Sequence, residues 1–250
     1  MRRWWPPLAL LAVAVGLWEL VVRAEHVQDY LFPTPVEVAR SLWDDRGLLT
    51  SATAVTVREI LLGYLLAVGV GLALAVVLHW SAALRRALLP ILVLSQTVPT
   101  VVLAPVLAIL LGFGIGPKLV VVAIVCFFPI VVNAVDGLRS TDPELVRMMR
   151  TLDASRLSIF RRVEVPGALP SIFSGARIAA TYAAVGAVFG EWSGSSSGLG
   201  FVMLQAQPEL ATARIFAALL VLSVLALALY ALVSLAERVL VPWNREVTTE

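Results

Sequence analysis

The sequence is poor in charge, lysine, histidine and cysteine, and each shortage excludes something. Charged residues make up 14% of the 250 positions, against about 25% in an ordinary soluble domain. Disorder and a soluble globular fold are both poor fits to that composition. The single lysine, Lys118, sits between Pro117 and Leu119. No G-x4-G-K-[ST] phosphate loop can form there, so any ATP spent in this protein's work is hydrolysed on another chain. One cysteine, Cys126, excludes an internal disulfide, and with His26 and His79 it makes no zinc cluster. Nineteen basic and 17 acidic residues leave a net charge of +2. That balance lacks the concentrated basic face of a nucleic-acid binder.

Apolar residue is what the chain has, at 60% of positions. A membrane-spanning helix needs about 20 such residues. Ile215–Ala236 runs 22 residues without a charge, Ile60–Leu78 runs 19, Ala87–Pro117 runs 31 and Leu119–Val135 runs 17. Two further segments are less continuous. Pro6–Val22 is interrupted by Glu19, and the 13 residues Ile178–Gly190 need an earlier start near Ile172, with Arg177 reaching the headgroups. These readings predict an all-α polytopic membrane protein with six transmembrane helices. Arg2, Arg3 and Val22-Arg23-Ala24 imitate a signal peptide, but the run is long and carries Glu19, so it reads as a retained first helix.

Alternating six helices from a cytoplasmic N-terminus places 13 of the lysines and arginines inside and 6 outside. The positive-inside rule favours that sense, with both termini cytoplasmic. The chain then divides into a first helix and outer segment (1–56), a main transmembrane region (57–242) with an inner loop at 137–171, and a tail (243–250). A short outer helix is expected over Val36–Trp43, and Ser193–Gly200 reads as a flexible outer turn.

The inner loop carries the most information. Asp142 can cap a helix with Pro143 at its first position, predicting Pro143–Leu152. Asp153 interrupts it and is expected to cap a second helix, Ala154–Val163, which Pro166 and Pro170 stop as they open the next membrane helix. Leu152, Ile159, Phe160 and Val163 can share one apolar stripe on it. A helix so short needs a partner for that stripe, and lipid headgroups or another protein would serve equally.

Here the chain resembles the permeases of bacterial binding-protein-dependent ATP-binding-cassette importers. Their loop pattern is E-A-A, three residues, G, nine residues, I-x-L-P. Arg147-Met148-Met149, Asp153 and Val163-Glu164-Val165-Pro166 keep the spacing with changed identities. Phe32-Pro33-Thr34-Pro35 with Glu37-Val38, Pro99 to Pro105, Gly112-Phe113-Gly114, Pro166-Gly167-Ala168-Leu169-Pro170-Ser171, and Gly190-Glu191-Trp192 before Gly198-Leu199-Gly200 are similar to the nitrate, sulfonate and taurine branch. The run from Gly190 through Met203-Leu204-Gln205-Ala206 to Phe216-Ala217-Ala218 looks most like importers of aromatic heterocycles such as the thiamine pyrimidine precursor.

The resemblance implies a type I importer fold in the cytoplasmic membrane. It implies two permease subunits, a homodimer by preference, over two ATPase subunits that hold ATP and Mg, and an external solute-binding protein that sets specificity. This chain would bind no cofactor and catalyse nothing. Its coupling loop would dock on the ATPase through Leu157, Ile159 and Phe160, with Arg147, Asp153, Val163 and Pro166 completing the motif. Arg147, where the family has an acid, implies an altered or degenerate ATPase contact.

Polar groups within spans are costly and tend to face a cavity or another helix. Gln96, Thr97, Thr100, Asn133, Thr181, Tyr182 and, near the outer interface, Glu191 are the candidates for the solute pathway, against simple interhelical bonding. A secondary carrier or channel would not need the loop helix. An intramembrane enzyme would need a dyad, carboxylate pair or metal cluster that the spans do not display, and Lys118 has no evident nucleophile beside it.

Overall fold

The computed structural model describes residues 5–25, 28 and 30–245. Arg2, Arg3, His26 and the last five residues lie outside them. The described residues are helical throughout: α1 Trp5–Ala24, α2 Pro35–Asp44, α3 Arg46–Trp80, α4 Ala82–Ser95, α5 Thr100–Leu111, α6 Ile115–Arg139, α7 Pro143–Thr151, α8 Arg156–Ile159, α9 Val165–Trp192, α10 Leu199–Ala206 and α11 Thr212–Leu240. A π turn, Phe160–Glu164, joins α8 to α9.

Four helical runs among these residues are long and apolar enough to cross a membrane: Arg46–Trp80, Ile115–Arg139, Arg156–Trp192 and Thr212–Leu240. The third segment differs from the expected single helix. It is two helices, α4 and α5, meeting at 99°. Pro99 explains the break: the residue before a proline is pushed out of the helical region, and the ring removes a donor. Together the pair could make a fifth span. The Val22-Arg23-Ala24 triplet lies inside α1, and Glu19 is paired with Arg23 one turn away at 2.5 Å.

Helices α3, α6 and α9 form the centre. They approach closely because small residues line the contacts, the usual device where lipid supplies no hydrophobic drive. Ala179, Ala180, Ala183 and Ala187 of α9 are fully buried. A Cβ on Gly63 would lie 2.5 Å from Val122 Cβ, and one on Gly186 would lie 2.9 Å from Val122 Cα. Gly71 approaches Ile130 in the same way, whereas Gly69 faces open space and has no part in the packing. Two polar groups of this centre bond to backbone carbonyls, as a membrane interior favours. Tyr64 donates to Ala176 O at 2.9 Å, and the Cys126 thiol donates to Ala179 O at 3.3 Å.

The segment between α1 and α3 is fastened by sequence signals. Thr34 and Glu37 form a capping box at the start of α2: Glu37 N donates to Thr34 Oγ1 and Thr34 N to Glu37 Oε2. Phe32 packs edge-on to Phe216 and against Trp18, whose indole donates to Pro33 O. Asp45, between α2 and α3, pairs with Arg214 at the start of α11. Partial burial pushes the Asp45 carboxyl up, but bonds from Arg214 and Ser41 outweigh it and hold the group below its ordinary value.

Candidate functional site

The loop between α6 and α9 is built by local rules. Asp142 caps α7, accepting from Glu144 N at 2.8 Å, with Pro143 in the first turn. The end of α7 corrects the sequence reading. Asp153 does not cap the next helix. Its φ is 53°, in the left-handed region. Its own N–H donates to Arg150 O, and Ala154 N–H donates to Met149 O, both at 3.1 Å. That bond pair is a Schellman motif, in which the left-handed position beyond the helix is usually glycine. The N-cap of the second helix is Ser155, whose hydroxyl accepts from Ser158 N at 3.3 Å. Asp153 therefore fills a left-handed position that glycine would fill with least strain.

A second correction concerns Pro166 and Pro170. Pro166 does open the next membrane helix, lying in the first turn of α9, but neither proline stops the helical run, which continues from Arg156 to Trp192. The π turn at Phe160–Glu164 lies just ahead of Pro166. A wider turn relieves the ring's clash with the preceding turn, and Pro166 falls where its missing N–H costs little.

The predicted loop residues divide into two sets. Ile159 is buried inside the chain. Phe160 is half-buried against His79 and Trp80 at the end of α3, with ring centroids 5.7 and 5.6 Å away. Val163 and Pro166 are half-buried too. Leu157 points outward and is 52% exposed, and Leu145, Met148 and Leu152 are exposed too. Arg147 is exposed beside Glu144. Leu157 lies in a surface cleft with Ser155, Ser158, Arg161 and Arg162. The outward apolar set is thus Leu145, Met148, Leu152 and Leu157, ringed by arginines, rather than the stripe through Ile159 and Phe160.

The pathway candidates are not gathered in one place. Gln96 and Thr97 sit in the α4–α5 break, and Thr100 opens α5. Gln96 and Ser95 are the polar members lining a cavity of about 470 Å³, otherwise walled by apolar residues including Leu66, Val120 and Phe127. Asn133 is elsewhere, donating to Pro129 O. Thr181 turns its hydroxyl to Ile178 O, and Tyr182 is half exposed on the outer stripe of α9.

Glu191 belongs to a buried cluster that the sequence does not reveal. It is 1% exposed. It accepts from Thr56 Oγ1 at 2.6 Å and from Gly200 N at 2.5 Å, at the start of α10. Thr56 in turn accepts from Leu199 N. Lys118 pairs with Glu59 at 2.7 Å and donates to Ser195 at 2.6 Å. A serine does therefore lie beside Lys118. It is no nucleophile, because its proton is given to Ser197 O and the ammonium is held by Glu59. Thr56 and Glu191 are 135 positions apart, which no local pattern could signal. The Gly198-Leu199-Gly200 motif was the one visible trace. Gly198 has φ 110°, and a Cβ there would meet the Glu191 carboxyl at 2.2 Å.

The described residues thus combine helices long and apolar enough to cross a membrane with a helix-break-helix loop between α6 and α9. The chain belongs to the family described as the binding-protein-dependent transport system inner membrane component, which it matches over residues 66–246. It is a permease subunit of an ABC transporter and a multi-pass membrane protein. It is 39% identical to a probable ABC transporter permease of Haemophilus influenzae, covering 90% of this chain and 91% of that one. It is 34% identical to the formylaminopyrimidine transport permease ThiX of Halalkalibacterium halodurans, covering 96% of each. Permeases named for aliphatic sulfonates in Bacillus subtilis and for taurine in Escherichia coli match at 29% and 28%. In fold it is similar to a chain of the inward-facing MetNI methionine ABC transporter, with a TM-score of 0.68 and 20% identity, covering 78% of this chain and 97% of that one.

Proposed function

We propose that two copies of this chain form the pore of an importer for a small aromatic heterocycle, each docked on an ATPase subunit through the α7–α8 loop. Six spans are assigned: α1, α3, the α4–α5 pair, α6, α9 and α11. Both termini and the loop lie in the cytoplasm, and an external binding protein delivers solute to the opposite side. The partner chains hold ATP and Mg; this one transmits their closure. One observation carries the reading. Leu145, Met148, Leu152 and Leu157 are exposed beyond the membrane helices, and α8 runs straight into α9. Such a face needs a partner, because an exposed apolar patch rimmed by polar residues marks an interaction site. The surrounding arginines, Arg147, Arg161 and Arg162, call for acidic groups on that partner.

The solute class is supported by the relative named for formylaminopyrimidine and by the cavity at the α4–α5 break. Its lining contains an amide and a hydroxyl but no charge. A site of that kind suits a neutral ring better than a sulfonate.

The test of docking is co-purification with the ATPase. Leu157→Asp should lose the ATPase and keep normal membrane insertion. Full retention of the ATPase by this variant contradicts the assignment.

A further inference from the structure

We propose that His79 and Trp80, the last two residues of α3, clasp the docking helix and carry its movement into α3 and the α4–α5 hairpin. This rests on the docking just proposed, and adds a second route for the movement beside the direct one into α9. Four contacts converge on the two residues. His79 Nε2 lies 2.9 Å from Glu164 Oε2. The His79 ring lies 5.7 Å from the Phe160 ring, and Trp80 meets Phe160 edge-on at 5.6 Å. The Arg156 guanidinium lies over the Trp80 ring at 5.8 Å.

The π turn makes this possible. Phe160 and Glu164 are its two ends, and both face His79. The pair is well shielded, with the His79 side chain 13% and the Glu164 side chain 19% exposed. Such a contact resists sliding better than an exposed ion pair would.

Beyond Trp80 the chain turns at once into α4. Ser81 caps α4, accepting from Leu84 N, and Arg85 Nη1 donates back to Leu78 O. The joint between α3 and α4 is therefore tied, and α4 leads to the break that holds Gln96 and the cavity. A displacement of α8 would reach that cavity through His79, Trp80 and α4. His79 and Trp80 are positioning residues: they touch neither ATP nor solute.

The experiment uses the whole transporter, permease with its ATPase and binding protein, in proteoliposomes. It measures ATPase association, ATP hydrolysis and solute import in the same preparation. Trp80→Leu with Glu164→Ala removes three of the clasp's four contacts and leaves only that between His79 and Phe160. ATPase association should stay near wild type, while ATP hydrolysed per solute imported rises by about fivefold or more. His79→Glu alone should raise the ratio, and adding Glu164→His, which exchanges the polar partners, should bring it back toward the wild-type value. His79→Phe keeps the ring contact and loses the polar one, and should give an intermediate ratio, a milder change that preserves folding. An unchanged ratio in the variant with Trp80→Leu and Glu164→Ala, or no rescue by the exchange, overturns the clasp. Loss of ATPase association alongside import overturns it as well, since the residues would then only shape the docking surface. Failure of the wild-type chain to hold the ATPase would instead overturn the docking reading itself.

Discussion

Replacing Asp153 separates two physical accounts of the loop, because each predicts a different order of variants. In the structure Asp153 has φ 53° and closes α7, while Ser155 caps α8. A left-handed L-residue costs about 1–2 kcal/mol, less for Asp and Asn, whose short polar side chains can bond locally. Asp153→Gly removes that strain but frees the unfolded chain, which costs about 0.4–1 kcal/mol. The glycine variant should be neutral to about 1 kcal/mol better. Asp153→Ala keeps the Cβ and loses the polar side chain, and alanine also favours continuing α7 through the break. It should fall about 1 kcal/mol or more below the glycine variant. Capping by Asp153 would instead make glycine worse than Asp by a few tenths of a kcal/mol. The loop opens locally, so the assay is amide exchange over residues 149–158 in the purified permease, with transport at equal expression. A gap of about 1 kcal/mol is about fivefold in the opening equilibrium. Exchange in the alanine variant as slow as in the glycine variant refutes the left-handed assignment. Ser155→Ala should speed exchange by the loss of a cap, about 0.5–2 kcal/mol.

Leu210 also has a positive φ, 55°, in the loop between α10 and α11, so Leu210→Gly should raise the melting temperature; a fall contradicts the strain argument. Gly198→Ala should displace the Glu191 carboxyl that a Cβ meets at 2.2 Å, and cost about 2 kcal/mol or more by opening a buried hydrogen-bond cluster; unchanged stability would mean that α10 is not anchored there. The Asp45 carboxyl is held below its ordinary value of 3.8, so its contribution is full above that pH and is lost as pH falls through the lowered value. A melting comparison of wild type and Asp45→Asn should show a gap at neutral pH that closes in strong acid. A gap that widens on acidification reverses the sign of the argument.

Hydropathy was legible because membrane spans write it in long runs: Ile60–Leu78, Leu119–Val135 and Ile215–Ala236 all lie within observed helices. Helix starts were legible where a side chain caps locally, as at Asp142. The break in the third segment was half legible. Pro99 marked it, but an apolar run of 31 residues hides a 99° bend. The role of Asp153 was missed because its spacing also suits a capping residue, although the family glycine pointed to a backbone requirement. Ile159 and Phe160 were assigned outward because periodicity gives a face without saying what it meets. His79 and Trp80 meet it from 80 positions away. The Glu191 cluster, assembled from α3, α6, α9 and the outer loop, was beyond any local pattern.

The account stands on docking of the α7–α8 loop against an ATPase. Cys126, the only cysteine, is fully buried, so Leu157→Cys supplies one accessible thiol. In membranes of cells producing the whole transporter, a short reagent with one thiol-reactive and one photoactivatable end should join this position to the ATPase, and ATP should change the yield. A cross-link to the ATPase that appears only when the cysteine is placed in the outer loop, as in Leu210→Cys, and never at Leu157, would contradict both the topology and the docking.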